Sequence, residues 1–261
     1  MPFSPTPDNP PSPMAVVVAH PDDECLWLSS VLASADRVVL CFGDLFERPR
    51  KAAARRRAVA ALPLRNLVNL KIPESAAGFS VDWEHPQPTK QGMAIIDPVA
   101  RARYESNFPR LIEALRPVLA GFRHVCTHNP WGEYGHGEHI QVYRAISALQ
   151  AELGYTIWFS NYASAKSWSF AHQIGDKPCW GERRTLPTNR AMGRGLMRVY
   201  VRSGAWTWTL SHLWPLEETL YSQPPQSDPM PRHSLTGEWL LDVAGLRWWP
   251  PIVRTSRRRL D

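Results

Sequence analysis

The amino-acid sequence predicts a Rossmann-like α/β fold: a mostly parallel, doubly wound sheet with helices on both faces and a Trp-rich C-terminal extension. Two observations support this prediction. Short apolar runs alternate with longer segments of helical periodicity, and the alternation continues from residue 14 to residue 160. Such alternation favours right-handed crossovers between parallel strands, whose apolar runs lack a polar face because both sides are buried.

The first five elements follow in order. Residues 14–19 (Met-Ala-Val-Val-Val-Ala) form a continuous apolar run of the kind found in a strand buried on both faces. Residues 24–35 are predicted as an apolar helix and residues 37–41 as the second strand. An Ala- and Arg-rich helix is predicted at residues 50–62, and the third strand at residues 66–70.

After an excursion rich in Pro and Gly at residues 74–92, a helix is predicted at residues 97–119. Its apolar residues recur at helical spacing, and it begins with Asp-Pro, a favourable N-cap followed by Pro at the first helical position. The fourth strand is predicted at residues 124–127, a helix at 136–153 and the fifth strand at 156–160.

The chain is predicted to hold a single domain over residues 14–261, preceded by a disordered lead-in at residues 1–13. The core sheet and helices occupy residues 14–160, and residues 161–261 are expected to wrap the sheet and help to wall a substrate cleft. The lead-in lacks the basic-then-apolar layout of a signal peptide, so the expected location is the cytoplasm. The sequence leaves homo-oligomerisation open.

The amino-acid composition limits the kinds of molecule that the chain is expected to bind. The formal net charge of +6 raises the hypothesis of nucleic-acid binding, but the basic residues are dispersed over the predicted helices, so no nucleic acid is expected. An anionic small-molecule substrate fits the charge better. Membrane association is not expected, because the Trp-rich part has no sustained basic amphipathic pattern. The four cysteines have no Cys-x-x-Cys spacing and are expected to be buried free thiols.

The first cluster of chemically competent residues directly follows the first strand. His20 and Asp23 are three residues apart at a strand-to-helix turn, so both can point at one metal ion. Asp22 between them would be an unligated carboxylate beside the metal, which suits a general base. The alternative is an acidic first helical turn, because carboxylates are favourable near a helix N-terminus.

The second cluster, Tyr134-Gly135-His136-Gly137-Glu138-His139, follows the fourth strand. His136 and His139 share one helix face, so one can complete a metal site while the other faces the substrate. The carboxyl ends of parallel strands lie on one edge of a sheet, and ligands bind there. The two clusters are therefore expected to converge.

The segment Ala19-His20-Pro21-Asp22-Asp23-Glu24, paired with Gly135-His136-x-x-His139, resembles the PIG-L/LmbE-like family of zinc-dependent N-acetylglucosaminyl deacetylases. Members of that family remove acetyl groups from amino-sugar conjugates. The resemblance extends from about residue 14 to residue 160. In the C-terminal third it is faint, and only Tyr221-Ser222-Gln223 is similar to a late family signature.

The resemblance implies that His20, Asp23 and His139 hold Zn²⁺ and that Asp22 is the base that activates the attacking water. It also implies that His136 stabilises the oxyanion of the tetrahedral intermediate as an imidazolium.

Further residues are assigned roles either by the resemblance or by their position in the loop that follows the fourth strand. Tyr134 would help to polarise the acyl carbonyl, and Glu138 would orient His136 as a supporting partner. Glu74 matches a family position near the sugar hydroxyls. Asn129 and Trp131, in the loop before Tyr134, are expected to line the mouth of the pocket and bind substrate.

Two departures from the family pattern stand out. Leu26-Trp27-Leu28-Ser29-Ser30 replaces a Gly-rich turn, and Gly137-Glu138 replaces the usual Pro-Asp. Two alternative functions remain open at this stage: an amidase of the same fold acting on a non-sugar or long-chain acyl amide, and a sugar-binding protein without turnover.

Overall fold

The computed structural model describes residues 10–44, 48–89, 91–168, 170–171, 181–225 and 241–242. Most of the expected lead-in, residues 1–9 of 1–13, therefore lies outside the described residues, as does most of the chain after residue 225.

A seven-stranded sheet forms the centre of the fold and confirms the predicted class. Its strands are arranged in the order β3-β2-β1-β6-β7-β10-β9. Their bounds are β1 (Met14–Val18), β2 (Arg37–Asp44), β3 (Leu67–Pro73), β6 (His124–Thr127), β7 (Thr156–Ser160), β9 (Arg183–Pro187) and β10 (Glu217–Gln223). The first five strands in this order are parallel to one another. Strand β10 pairs antiparallel with β7, and β9 pairs antiparallel with β10.

Four shorter strands lie outside this sheet. They form two pairs, β4 (Pro88–Thr89) with β5 (Gly92–Met93), and β8 (Tyr162–Ala163) with β11 (Leu241–Asp242).

The described helices are α1 (Asp23–Trp27), α2 (Pro49–Ala61), α3 (Pro98–Leu119), α4 (Gly132–Gly135), α5 (Gly137–Leu153) and α6 (Arg190–Ser203). The predicted start of α3 is confirmed, because the Asp97 side chain accepts a hydrogen bond from the backbone N–H of Val99. Helix α1 is much shorter than the predicted 24–35. The reason lies in β10, where the Glu218 carboxylate accepts both the backbone N–H and the hydroxyl of Ser30 and so diverts the chain from the helix.

The central strand, β1, is fully buried because it pairs with β2 on one side and with β6 on the other. Apolar side chains cover both faces of the sheet. One cluster includes Val16, Val18 and Trp27, and the other includes Val17 and Ile146. This core holds the ends of β1 and β6 beside each other, and the loops that follow them carry the candidate site.

The C-terminal third contributes elements that the sequence pattern did not reveal. Strands β9 and β10 extend the sheet beyond β7, and α6 packs against α2 and α1. The segment Tyr221-Ser222-Gln223 lies in β10, paired with β7.

The thiols of Cys25, Cys41 and Cys126 are free and buried, as expected, and Cys179 lies outside the described residues. None of the described helices is both long enough and apolar enough to cross a membrane.

Candidate metal centre and active site

The loop after β1 brings two carboxylates to the start of α1. Asp22 adopts φ 106°, in the left-handed region that non-glycine residues rarely occupy. Asp23 then begins the helix, and its Oδ2 accepts the backbone N–H of His20 at 2.8 Å. Strained backbone of this kind is concentrated at functional sites. It allows consecutive aspartates to line the same cavity.

The predicted metal ligands converge. Asp23 Oδ2 lies 3.2 Å from His20 Nδ1 and 3.4 Å from His139 Nε2. The His20 and His139 ring centroids are 5.4 Å apart. His20, His136 and His139 also offer nitrogen atoms within 4.8 Å of one another.

The donor set fits a divalent metal such as Zn²⁺, which accepts imidazole nitrogen and carboxylate oxygen. The observation that supports the fit is His139 Nε2. Among the described residues, this buried nitrogen has no hydrogen-bond partner. Buried polar atoms are rarely left without a partner. A cation between His139 and Asp23 would supply one.

Asp22 lies beside the candidate metal ligands but is not one of them. Its Oδ2 accepts two hydrogen bonds from Thr207, one from the backbone N–H at 3.2 Å and one from the hydroxyl. Burial, followed by the negative charge of Asp23, raises the Asp22 pKa to about 6. A carboxylate with a pKa close to neutrality is suited to general-base chemistry.

His136 lines the same cavity and stacks on His139, with ring centroids 4.5 Å apart. Its Nδ1 accepts the backbone N–H of Glu138, which leaves the ring proton of a neutral His136 on Nε2. Burial and the neighbouring His139 and His20 hold the His136 pKa well below its usual value. The structure therefore favours a neutral His136, in contrast to the imidazolium that the resemblance implied.

The Glu138 carboxylate contacts a different histidine from the one expected. Its Oε2 lies 2.9 Å from His20 Nε2, and its Oε1 accepts the backbone N–H and hydroxyl of Ser75. The Glu138 carboxylate therefore orients His20, and Glu138 contacts the His136 ring through its backbone N–H and not through its side chain. The reason is the turn between α4 and α5, where His136 is the N-cap of α5 and Glu138 lies in its first turn.

The cavity has a volume of about 290 Å³. Tyr134 lines it, as predicted, with its ring centroid 5.7 Å from that of His136. Glu74 also lines it, paired with the buried guanidinium of Arg55. Aromatic residues and one amine complete much of the wall; they are Trp27, Phe79, Trp83, Trp208 and Lys51.

Two expected substrate-binding residues do not reach this cavity. Asn129 is fully buried and donates its side-chain amide to the carbonyl oxygens of Ser160 and Tyr162. Trp131 is also fully buried, where it packs edge-on against Phe159 and donates its indole N–H to the Tyr162 carbonyl. Both side chains hold the loop against β7 and β8, so their assignment to the pocket mouth is wrong.

Several residues of the site were missed by the sequence reasoning. Trp83 lies in the Pro- and Gly-rich excursion, and Thr207 lies in the irregular segment between α6 and β10. No local pattern marks them. Glu133 and His128, which contact His139, are in the same loop as the recognised motif. Their proximity to that motif was the one available signal.

Comparisons with known proteins support the resemblance. No protein-family model matches the chain. The 1D-myo-inositol 2-acetamido-2-deoxy-α-D-glucopyranoside deacetylase of Corynebacterium kroppenstedtii is 28% identical over 162 residues, which are 54% of this chain and 41% of that protein. The matched region thus spans about two-fifths of that relative's length.

Solved deacetylase structures share the fold at low sequence identity. The zinc-inhibited form of teicoplanin deacetylase Orf2 has a TM-score of 0.53 and 13% identity, over 82% of this chain and 99% of that one. A deacetylase–teicoplanin complex has a TM-score of 0.54 and 13% identity, over 80% and 97% of the two chains. The A40926 pseudoaglycone deacetylase Dbv21 has a TM-score of 0.52 and 12% identity, over 82% and 98%.

The chain is thus a homologue of an amino-sugar deacetylase and has the fold of the teicoplanin deacetylases, in agreement with the PIG-L/LmbE-like family that its motifs predicted.

Proposed function

We propose that this protein is a zinc-dependent hydrolase that removes an N-acetyl group from an amino sugar or amino-sugar conjugate. The observation that carries the proposal is the convergence of His20, Asp23 and His139. His20 and Asp23 line the cavity together with the buried Asp22, and the buried His139 Nε2 lies 3.4 Å from Asp23 Oδ2. A binding protein has no need for a base of raised pKa beside a ligand set for a cation.

His20, Asp23 and His139 are the residues that would hold the metal. When bound, Zn²⁺ supplies Lewis-acid polarisation of the amide carbonyl and lowers the pKa of a coordinated water.

The remaining steps are assigned to residues of this chain. Asp22 accepts a proton from the attacking water as the new bond from oxygen to the acyl carbon forms. The neutral His136 donates a hydrogen bond from Nε2 to the developing oxyanion, with Tyr134 as the second candidate donor. Asp22 then returns its proton to the amide nitrogen as the carbon–nitrogen bond breaks, which yields acetate and a free amine.

The substrate class is supported by the cavity and by the relatives. Its volume of about 290 Å³ is at the lower end of the range for small-molecule sites. Indole and phenol rings of Trp83, Trp208 and Tyr134 offer apolar faces to a sugar ring, and Lys51 offers one cation. The similar proteins include a deacetylase of an acetamido sugar, a deacetylase in complex with teicoplanin and the A40926 pseudoaglycone deacetylase.

Acetate release from a panel of N-acetylglucosamine conjugates, measured with the zinc-loaded protein, tests the proposal. The Asp22→Asn variant is expected to keep its zinc and lose at least about a hundredfold in kcat, a general-base effect. Full activity of this variant would reject Asp22 as the base. A zinc-free wild-type protein with undiminished activity would reject the metal.

The same assay separates the two alternatives. An amidase with another acyl specificity would release a longer acid from non-sugar or long-chain amides in preference to acetate from the sugar conjugates. A sugar-binding protein would bind the conjugates in calorimetry and release no acid from any of them.

A further inference from the structure

A second layer of buried polar groups lies behind the metal ligands, in the loop between β6 and α5. At its centre is the carboxylate of Glu133, which is fully buried. The Glu133 backbone has φ 54° and ψ −71°, an arrangement unfavourable for a residue with a side chain. Neither the motif nor the relatives assign a role to this carboxylate.

Asn129 holds Glu133 in place through hydrogen bonds to both the backbone and the side chain of Glu133. The backbone N–H of Glu133 donates to Asn129 Oδ1 at 2.8 Å, and the backbone N–H of Asn129 donates to Glu133 Oε1 at 3.2 Å. Since Asn129 is itself anchored to the carbonyls of Ser160 and Tyr162, the carboxylate has a fixed position relative to the sheet.

The other oxygen, Glu133 Oε2, lies 2.6 Å from His139 Nδ1 and 3.1 Å from His128 Nδ1. An ionised carboxylate only accepts hydrogen bonds, so each of these ring nitrogens carries a proton. For His139, the proton on Nδ1 leaves the lone pair of a neutral ring on Nε2, the atom 3.4 Å from Asp23 Oδ2.

The tautomer of the neighbouring His128 is also fixed, in this case by a contact to its other ring nitrogen. Its Nε2 accepts the backbone N–H of Ala19 at 2.8 Å, so its Nε2 lone pair is already engaged. The Nε2 also lies 3.5 Å from Asp23 Oδ2, a separation at the limit of a hydrogen bond. His128 stacks on His139 with ring centroids 3.9 Å apart.

These contacts decide between two possible ligand sets. The cluster Asp23, His128 and His139 has ligand atoms close enough to hold a cation. The engaged Nε2 of His128 removes it from that set. His139 keeps a free lone pair on Nε2, which lies 3.4 Å from the carboxylate of Asp23, a residue that lines the same cavity as His20.

We propose that Glu133 is a positioning residue that sets the tautomer of His139, with His128 as a stacked neighbour that fixes the ring plane. The carboxylate holds the proton on Nδ1, so Nε2 is presented to the metal as a lone pair in a fixed direction. Carboxylate partners of metal-bound histidines raise ligand basicity in this way. This inference rests on the proposed metal site, in which Glu133 would prepare His139 to bind the metal.

The direct test uses the metal-free wild-type protein and needs no substitution. Nitrogen-15 chemical shifts of the His139 ring distinguish a protonated from an unprotonated ring nitrogen, and a His139→Asn variant assigns the signals. We expect a protonated Nδ1 and an unprotonated Nε2. A protonated Nε2 would overturn the proposal.

The second test measures affinity for Zn²⁺ by competition with a chromophoric chelator. Glu133→Gln is expected to bind Zn²⁺ about 10–100-fold more weakly, because an amide NH₂ group facing Nδ1 favours the opposite tautomer. Glu133→Asp, which keeps the charge, should recover part of that loss. The matched control is Glu105→Gln, on an exposed position of α3, which should bind as the wild type does.

The outcomes separate this inference from the proposed function. A wild-type protein that binds Zn²⁺ and a folded Glu133→Gln variant of equal affinity would reject the role of Glu133 and leave the metal site intact. A wild-type protein with no affinity for Zn²⁺ would reject the proposed function, whereas the nitrogen-15 measurement would still decide the tautomer.

Discussion

Replacing the candidate base by asparagine should make the metal-free protein more stable while it removes activity. Asp22 is 2% exposed and adjacent to Asp23. Burial and the neighbouring carboxylate raise its pKa from 3.8 to about 6. At neutral pH the Asp22 carboxyl is therefore ionised at a cost in folding free energy, whereas a neutral asparagine side chain at this position would have no charge to bury.

The size and sign of the effect follow from the two pKa values. A carboxyl whose pKa is raised on folding binds more protons in the folded state, so its contribution to stability falls as the pH rises from 3.8 through about 6. Above that window the ionised Asp22 destabilises the fold by about 3 kcal/mol, and at pH 5 by about half of that value. The asparagine carbonyl oxygen can still accept the hydrogen bonds from Thr207.

The assay is urea unfolding of chelator-treated protein at pH 5 and pH 8. Asp22→Asn should raise the free energy of unfolding by about 3 kcal/mol at pH 8 and by about half as much at pH 5. The exposed Glu105→Gln substitution serves as the control and should change stability little at either pH. A gain of equal size at both pH values, or a loss of stability, would show that the charge of Asp22 is not the cause.

Three further predictions concern other residues of the fold and site. His139→Ala should lose metal in elemental analysis, whereas the exposed His85→Ala should stay loaded to the wild-type level; a zinc-loaded His139→Ala would contradict the ligand set. Thr207→Val should lower kcat/KM by about 10–100-fold, because a hydrogen bond to a charged group is worth about 1.5–3 kcal/mol. Thr207→Ser, which keeps the hydroxyl, should restore kcat/KM. Equal kcat/KM for the wild type and both variants would exclude a role for the hydroxyl. Trp131→Phe should lower the free energy of unfolding by about 1–3 kcal/mol, because it removes the hydrogen bond to the Tyr162 carbonyl, and it should leave KM unchanged. A raised KM with unchanged stability would instead indicate that Trp131 contacts the substrate.

Local patterns in the sequence were sufficient for the five parallel strands and for the helices α2, α3 and α5. The apolar run at residues 14–19 predicted the central strand because a strand buried on both faces needs apolar side chains at every position. The Asp-Pro pair predicted the start of α3 because an N-cap is satisfied within one helical turn. By contrast, the end of α1 depends on Glu218, a residue far along the chain, so no local rule placed it.

Burial separates the candidate residues that line the cavity from those that do not. Asn129, Trp131 and Tyr134 lie in one loop with equally suitable side chains, yet only Tyr134 lines the cavity. The direction of each side chain depends on what β7 and β8 place beside the loop. A chain position alone carries no information on that direction.

The sequence by itself determined the fold class and the chemical types at the centre of the candidate site: two imidazoles and one carboxylate that could hold a cation, with a second carboxylate beside them. These residues are linked to the ends of β1 and β6, and parallel strands bring such ends to one edge. Tertiary structure alone decided that Glu138 contacts His20, that Glu133 contacts His139, and that Thr207 contacts Asp22. The physical reason is that hydrogen bonds and burial depend on distances in space, which local periodicity does not specify.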